Sequence, residues 1–418
     1  DGSIRTNLIV LNETPTYSAD NRNLTYSVTV QQAGVIQYDS GPIHHVRNSN
    51  WSHQIQSEGQ PTLHIVHNSE YLLATGAVPQ YDLSLPVAVD TLNYAAAHGG
   101  TEAFVPMGRG GVENVMTNVG ERSDIGPLPD WAARYILTQD YRDFSVLLAN
   151  GRVSGSIPWH FIDAATGKYL DFKDHPKIWL DERGTSSDYG SDALPNDVFD
   201  YSTGWQVDTA HQPSLTYVPY LFTGEHYYAD ELEAQASWTM GSVWTTSRQQ
   251  SDTQDLMAMQ QVRGFAWTMR TLGDATYLLP DSSALKSSIS GVIDNNLRWV
   301  IDKFAEGPGV FTNAPRGMLA GLLDNPWNHQ DSHDIYGTAS VWMDDFAATA
   351  MGTLAARGFS DATTILNWQA NALAGRFISQ DLGLAPFNGG VYQMPTTKAF
   401  SADATHGPTN PSDGYTFT

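Results

Sequence analysis

Four stretches after residue 130 share one pattern, and this pattern constrains the fold more than any other feature of the chain. Each has an apolar helical segment, a short turn with glycine or a polar pair, and a second helical segment opened by an acidic residue. Glycine readily takes the positive φ that ends a helix, and an acidic side chain stabilises the next helix N-terminus. The pattern therefore predicts αα-hairpins. Their turns are expected at Gln139–Asp140, Gly224–Glu225, Gly273–Asp274, and Gly358 with Asp361.

The predicted helices are apolar around much of their circumference. In "VPYLFTG" (218–224) and "VWMDDFAATAMGTLAA" (341–356), bulky and small apolar residues cover more than one face. Such helices require burial on two sides. An α/α toroid, in which inner helices are covered by outer helices, satisfies this requirement. A plain helical bundle is the alternative.

The first hundred residues have a different pattern, which is typical of β-strands. Five short segments rich in Val, Ile, Thr and Tyr are separated by Gly, Pro, Asn and Asp, at a spacing of about ten residues that suits an antiparallel sandwich or barrel. Leu24, Tyr26, Val28 and Val30 are expected to share one face of a strand. The segments are "IRTNLIVLNET", "NLTYSVTVQQ", "GVIQYDSGPIHHV", "PTLHIVHNSEYLLAT" and "YDLSLPVAVDTL".

A glycine-rich stretch, "HGGTEAFVPMGRGGVEN" (98–114), separates the two patterns. The predicted fold class is therefore α+β and multidomain, with an N-terminal antiparallel β domain followed by a large α/α toroid-like helical domain. The expected boundaries are 1–115 for the β-sandwich or barrel, 116–400 for the toroid and 401–418 for a C-terminal tail.

Charge and composition exclude several classes of function. The chain carries 22 Lys and Arg against 45 Asp and Glu, a formal net charge of −23, which disfavours a nucleic-acid partner. No apolar run approaches the roughly 18 residues of a membrane span, so no membrane insertion is expected. The absence of cysteine excludes disulfides and thiolate chemistry. Together with a start at Asp1, without methionine or an apolar leader, it favours an extracellular or periplasmic protein. The oligomeric state is left open.

Polar residues precede several of the predicted apolar helices. His211 and Gln212 stand directly before Pro213, and proline is favoured at the first position of a helix. If the hairpins close around an axis, such residues converge on one cavity. In the alternative interpretation, Gln212 or Asp208 caps the helix and His211 only packs.

Two mechanisms of glycan cleavage fit these residue types. Hydrolysis needs two carboxyl groups across the scissile bond. β-Elimination from a uronate needs a base and groups that stabilise enolate-like charge. We expect three catalytic residues: His211 as base or charge neutraliser, Tyr336 as base or acid, and Arg263, which with Gln212 binds carboxylate or hydroxyl groups of the substrate. The residues expected to contact substrate are Gln212, Trp205, Asp124, Gln261, Trp327, Asn328, His329 and His160. For His160 the default interpretation is a packed core histidine.

The stretch "HQDSHD" (329–334) is a candidate metal site. His329 and His333 are four residues apart, but no third ligand follows at a standard spacing for zinc. Asp331 and Asp334 could hold calcium. The prediction is that the protein has no metal or cofactor, with calcium as the alternative. No nucleophile elbow, phosphate loop or dinucleotide fingerprint is present.

Several longer motifs resemble known proteins. "SDIGPLPDWAARYIL", "GSIPWHFIDAATGKYLDF", "DTAHQPSLTYVPYLFTGEHYY" and "QVRGFAWTMRTLGDATYLLPD" resemble a group of uncharacterised bacterial and phage-associated proteins over most of residues 120–380. The expected domain order is also similar to that of polysaccharide lyases of the exo-rhamnogalacturonan lyase and heparinase or alginate lyase types. This second similarity is architectural and transfers no residue roles.

The resulting expectation is an enzyme that cleaves an extracellular polysaccharide, with elimination slightly favoured. One alternative is a glycoside hydrolase with an Asp/Glu pair in the cleft of the toroid. Another is a non-catalytic component of an extracellular assembly or virion.

Overall fold

A computed structural model describes most of the chain, which contains two compact units. The described residues are 5–13, 20, 22–56, 64–98, 105–116, 122–176, 178, 180, 203–243, 261–305, 317–319, 338–378, 386–392 and 394–395. The first unit comprises Asp1–Asp171, Glu182–Asp208 and Gln212–Trp238, and the second comprises Phe172–Asp181, Thr209–His211 and Thr239–Thr418.

The N-terminal region of the first unit is formed by two antiparallel strand pairs. Its strands are β1 (Arg5–Asn12), β2 (Leu24–Gln32), β3 (Val35–His45) and β4 (Ser49–Gln56). Strand β1 pairs with β4, and β2 pairs with β3. Along β2, alternate residues from Tyr26 to Val30 are half-buried while the residues between them are exposed, which confirms the predicted face; Leu24 at its end is 38% exposed.

Two of the five predicted strands are wrong, because residues 69–98 contain helices. Helix α1 spans Ser69–Ala74, and helix α2 spans Val89–His98. The side chain of Asn68 accepts a hydrogen bond from the Tyr71 N–H at 3.0 Å and so starts α1. This local cap outweighs the β propensity of the preceding Ile65 and Val66. The β region is consequently smaller than expected from the sequence.

Two predicted hairpins of the first unit are confirmed. The first consists of α3 (Asp130–Thr138) and α4 (Tyr141–Ser156), and the second consists of α5 (Tyr217–Thr223) and α6 (His226–Gly241). The last three residues of α6 belong to the second unit. Gln139 ends α3 with φ of 51°, and Gly224 ends α5 with φ of 66°. Asp140 then caps α4 by accepting from the Arg142 N–H at 2.8 Å.

Helix α4 packs against β4 at a glycine. A Cβ atom at Gly155 would overlap Oδ1 of Asn50 and lie 2.9 Å from the Asn50 carbonyl oxygen. Only a glycine therefore allows the helix backbone to come this close to the strand. This contact brings the end of α4, and with it His160, next to the start of β4.

The second unit is largely helical. Its main elements are α7 (Val262–Leu278), α8 (Ala284–Val300), α9 (Val341–Ala356) and α10 (Ser360–Ile378), with a π-helical turn at Ile301–Ala305 and a short strand pair formed by β5 (Thr338–Ala339) and β6 (Met394–Pro395). Helix α9 packs against both α7 and α10. Gly358, with φ of 97°, separates α9 from α10 as predicted.

The predicted turn at Gly273–Asp274 is wrong, because both residues lie inside α7. A Cβ atom at Gly273 would come within 2.7 Å of the Leu354 side chain on α9, so this glycine permits close helix packing. Asp274 pairs with Arg357 at 2.8 Å. The hairpin of α7 and α8 instead turns at residues 279–283.

The fold is thus a small antiparallel β region followed by a mostly helical body, which confirms the α+β class. Within the described ranges, no helix is both long enough and apolar enough to cross a membrane.

Candidate functional site

A buried ion pair joins two segments of the first unit that are distant in sequence. His160 follows the end of α4, and Glu231 lies in the second turn of α6. Nε2 of His160 is 3.0 Å from Oε2 of Glu231, and the side chains are 0% and 1% exposed. Nδ1 of His160 faces the carbonyl oxygens of Asn48 at 3.1 Å and Ile157 at 3.2 Å. Because both ring nitrogens face acceptors, the ring needs a proton on each.

The surroundings of His160 favour its charged form. Burial by itself lowers the pKa of a histidine, but the charge and hydrogen bond of Glu231 act in the opposite direction, assisted by the charge of Glu13. The result is a pKa raised from 6.5 to about 9. His160 is therefore an imidazolium at neutral pH.

A second carboxylate, Glu13, lies beside this pair. Glu13 is half-buried, and its Oε1 accepts hydrogen bonds from Asn50 Nδ2 at 3.1 Å and from the Tyr169 hydroxyl at 3.2 Å. The Tyr169 ring is centred 6.1 Å from the ring of His160. Tyr169 thus connects the half-exposed carboxylate to the buried imidazolium.

Asp230 is the third carboxyl group and the most accessible one. It is exposed, and it precedes Glu231 on α6. Its pKa is raised, first by partial loss of hydration and then by the charges of Glu231 and Glu13, while His226 opposes the shift. We call Glu13, Asp230 and Glu231, with His160 and Tyr169, the carboxyl cluster. It combines a carboxyl group whose pKa is raised with two further acidic side chains, an arrangement suited to acid–base chemistry.

The tyrosines of this region are hydrogen-bond donors. Tyr227 donates to the Arg152 carbonyl oxygen at 3.0 Å and to Asn50 Oδ1 at 3.3 Å. Burial, followed by nearby carboxylates, raises the pKa of both Tyr169 and Tyr227 well above the usual value of 10.0. Neither tyrosine is therefore suited to remove a proton at neutral pH.

A second buried histidine of the first unit has the opposite charge state. His45 Nδ1 lies 2.5 Å from the Tyr26 hydroxyl, which accepts from Trp51 Nε1 at 2.8 Å, and His45 Nε2 lies 3.0 Å from the Ser49 carbonyl oxygen. Burial, with a smaller effect from the charge of His160, lowers its pKa to about 4, although the bond to Ser49 opposes the shift. His45 is therefore neutral, with its proton on Nε2.

The prediction that Pro213 begins a helix after His211 and Gln212 is wrong, because helix α5 starts at Tyr217. His211 is buried in a short 3-10 helix, Thr209–His211, of the second unit. Gln212 belongs to the first unit and is fully buried, and its Oε1 accepts from Gln235 Nε2 at 3.0 Å. Neither side chain is exposed at an open rim.

Gln261 and Arg263 lie in the second unit, at the start of α7. Arg263 Nε donates to Gln261 Oε1 at 2.7 Å, and its guanidinium lies 5.5 Å from the centre of the Trp342 ring. Gln261 is exposed and Arg263 is half-buried.

Asp124, Trp205 and His160 lie in the first unit but have different roles in packing. Asp124 is buried and receives hydrogen bonds from Arg122 Nε at 2.9 Å and from the Glu113 N–H at 3.0 Å. Trp205 is 5% exposed and lines an open pocket. His160 is fully buried, in agreement with its interpretation as a packed core histidine. The sequence does not predict its partner, Glu231.

The remaining predicted site residues lie outside the described part of the chain. These are Tyr336, Trp327, Asn328 and His329, together with His333, Asp331 and Asp334 of the candidate metal site. Among the residues that the structure describes, no group of three or more His, Asp or Glu side chains could hold a metal ion.

Glu13, Tyr169, Asp230 and Glu231 are absent from the residues predicted to form the site, because none of them directly precedes a predicted apolar helix. A signal was present: Glu231 is four residues from both Tyr227 and Gln235, so an acidic side chain shares a face with large and polar residues that face the interior. The partners of Glu231 and Glu13 lie 71 and 156 residues away along the chain.

Comparison with known proteins gave no relatives. No family model, curated protein or solved structure matches the chain.

Proposed function

We propose that the protein is a glycoside hydrolase that cleaves an extracellular polysaccharide, and that the carboxyl cluster is its reaction centre. The observation that carries this proposal is that Glu13 and Glu231 act on the buried imidazolium of His160, and that the same two side chains raise the pKa of Asp230. Glycoside hydrolysis requires one carboxyl group that holds a proton and one carboxylate, in a shared site.

Asp230 is proposed as the general acid. Its pKa is raised by partial loss of hydration and by the neighbouring carboxylates, and a raised pKa keeps the proton available nearer to neutral pH. In the reaction, Asp230 donates this proton to the glycosidic oxygen as the bond to the anomeric carbon breaks. Its exposure gives it access to a polymer.

Glu13 is proposed as the base that activates water. The hydrogen bonds from Asn50 and Tyr169 hold its Oε1 in a fixed position. Water adds its hydroxyl to the anomeric carbon, and its remaining proton passes to Glu13. Glu231 and His160 are positioning residues in this scheme, since both are fully buried and their charges act on Asp230 and Glu13 from the interior.

Within the carboxyl cluster, the charge states of His160 and Tyr169 favour hydrolysis over elimination. Elimination requires a base strong enough to remove a carbon-bound proton. His160 is protonated, and the pKa of Tyr169 is raised well above its usual value, so neither serves as that base. Tyr336 lies outside the described residues. A lyase that uses Tyr336, His211 and Arg263, and a non-catalytic assembly component, remain the competing predictions that a cleavage assay separates.

We also propose that the helical hairpins belong to an α/α toroid. The confirmed hairpins α3–α4, α5–α6 and α9–α10 support this architecture, because antiparallel helix pairs are its repeating unit. The formal net charge of −23 disfavours binding to nucleic acid. This agrees with the proposal that the protein is an extracellular or periplasmic enzyme.

The first prediction concerns cleavage. The protein is incubated with a panel of neutral and uronic polysaccharides, and new reducing ends are measured together with the absorbance of unsaturated uronates. We expect reducing ends without that absorbance, and a rate loss of at least about a hundredfold in Glu13→Gln and Asp230→Asn, the usual size of a general acid–base contribution.

Glu70→Gln serves as the matched control, because Glu70 is an exposed carboxylate elsewhere in the first unit. It should cleave at the wild-type rate. Absorbance of unsaturated uronates would identify a lyase instead. Absence of any cleavage on the panel would favour the non-catalytic alternative, and full activity of Glu13→Gln and Asp230→Asn would remove the carboxyl cluster from the reaction.

A further inference from the structure

A pocket in the first unit has the composition of a sugar-binding site. Its volume is about 360 Å³, which lies within the range of roughly 300–1,000 Å³ typical of small-molecule pockets. It combines one aromatic ring, one guanidinium, an amide, a hydroxyl and accessible backbone. The lining residues are Val105, Met107, Gly108, Arg109, Asn114, Thr203 and Trp205.

One wall of the pocket is the segment 105–116, which is held by buried polar groups. The Gly111 N–H donates to Oδ1 of the fully buried Asn150 at 2.7 Å, and the Glu113 N–H donates to the buried Asp124 at 3.0 Å. A Cβ atom at Gly111 would lie 3.2 Å from the Trp131 ring, so the backbone approaches the core closely here. The wall is therefore preformed, which lowers the entropic cost of binding a ligand.

The other wall is the segment 203–206, and hydrogen bonds join it to residues 114–116 of the first wall. Asn114 Nδ2 donates to the Gly204 carbonyl oxygen at 2.6 Å. The Gln206 N–H donates to the Asn114 carbonyl oxygen at 2.8 Å, and the Met116 N–H donates to the Gln206 carbonyl oxygen at 2.9 Å. These bonds place the buried Trp205 and the partly exposed Thr203 beside Arg109.

Arg109 determines the chemical class of the ligand. Among the lining residues it alone carries a full charge, its side chain is exposed, and its Nη1 lies 3.4 Å from Asn114 Oδ1. A guanidinium binds a carboxylate through two parallel hydrogen bonds, while an aromatic surface, a hydroxyl and an amide suit a sugar ring. We propose that this pocket binds a uronic acid unit, with its carboxylate on Arg109.

The negative net charge of the chain does not prevent this binding. Charges separated by more than about 8 Å are largely screened at physiological ionic strength, so the local guanidinium decides the interaction. Met107, which lines the pocket, also contacts β4: its Sδ lies 3.9 Å from Oγ of the buried Ser49, the neighbour of Asn50. A bound uronic acid identifies an acidic polysaccharide as the substrate, and this identification rests on the proposed hydrolase function. The binding of the sugar itself does not depend on that function.

The second prediction tests binding separately from cleavage. Methyl β-glucuronide and its neutral counterpart methyl β-glucoside are titrated by calorimetry into the Glu13→Gln, Asp230→Asn double variant, which is expected to be inert. We expect the glucuronide to bind at least tenfold more tightly than the glucoside. Adding Arg109→Gln should remove this preference, and Arg109→Lys should retain part of it, since lysine keeps the charge but not the paired donors.

Arg22→Gln is the matched control, because Arg22 is an exposed arginine elsewhere in the first unit. It should leave both affinities unchanged. Equal affinity for the two glycosides, or a glucuronide preference that survives Arg109→Gln, would overturn the assignment. Because binding is measured in a variant that is not required to cleave, failure of the hydrolase proposal leaves this result interpretable.

Discussion

The first unit has a buried arginine pair, Arg122 with Asp124 at 2.9 Å, and a buried histidine pair that contrasts with two arginine pairs of the second unit. In the second unit two buried arginines are paired with carboxylates: Arg357 with Asp274 at 2.8 Å, and Nη2 of Arg376 with both oxygens of Asp345 at 2.7 Å. In the first unit, Glu231 is paired with His160, whose charge depends on pH. Its second oxygen, Oε1, is buried and has no hydrogen-bond partner among the described residues.

This difference separates an ion pair with a permanent charge from one whose charge depends on pH. An arginine stays charged at all accessible pH values, so its pairs hold helices together and do little else. A histidine can lose its proton, and its pair in the first unit is surrounded by two further carboxyl groups. The charges of Glu231 and Glu13 raise the pKa of Asp230, and perturbed carboxyl groups of this kind are common at functional sites.

The largest expected effect concerns the second unit. Asp274→Ala removes the carboxylate from Arg357, which is 4% exposed and stays charged. Breaking a buried pair in this way costs about 3–5 kcal/mol. We expect the free energy of unfolding, from urea denaturation, to fall by that amount equally at pH 6 and pH 9. A loss that varied with pH would contradict the contrast between arginine pairs and the histidine pair.

Glu231→Gln should have a smaller effect that depends on pH. The amide oxygen can still accept a hydrogen bond from His160, but the charge is lost, so we expect a loss of about 2–3 kcal/mol at pH 6. The folded-state pKa of His160, about 9, exceeds the usual 6.5. The stability it contributes is therefore fully present below pH 6.5 and is lost as the pH rises through 9.

The measurement is urea denaturation of wild type and Glu231→Gln at several pH values between about 6 and 9.5, which spans the two pKa values. The difference between the two proteins should shrink across this range. A constant difference would mean that His160 is neutral throughout. Glu70→Gln, an exposed carboxylate change in the same unit, should follow the wild type at every pH.

The sequence predicts the local features of this fold better than its long-range contacts. Gly224 and Gly358 end helices because their positive φ is encoded by neighbouring residues. Gly273 precedes an acidic residue, as Gly224 does, yet it permits close packing against Leu354, a residue on another helix of the second unit. Whether a glycine ends a helix or admits a neighbouring helix depends on tertiary contacts that no local pattern contains.

The carboxyl cluster illustrates the same limit. The adjacent residues Asp230 and Glu231 are chemically alike, but one is exposed and the other is 1% exposed. Helical periodicity indicates that they point in different directions, not which of them meets His160. His160 could be predicted as a buried histidine from its apolar surroundings. Its positive charge depends on Glu231, which is 71 residues further along the chain.

The smallest expected effect compares the two buried histidines of the first unit. Tyr26→Phe removes the hydroxyl beside His45 Nδ1 and an acceptor of Trp51, at a cost of about 1–2 kcal/mol. Burial is the main cause of the low pKa of His45, about 4, so the variant should keep it well below 6.5.

Because this pKa is lowered on folding, the stability from His45 is present above pH 6.5 and lost as the pH falls through 4. Wild type and Tyr26→Phe should therefore lose stability in parallel between pH 6.5 and 4 in urea denaturation. If the slope disappears in the variant, the Tyr26 hydroxyl rather than burial keeps His45 neutral, and the two histidines differ through their hydrogen-bond partners alone.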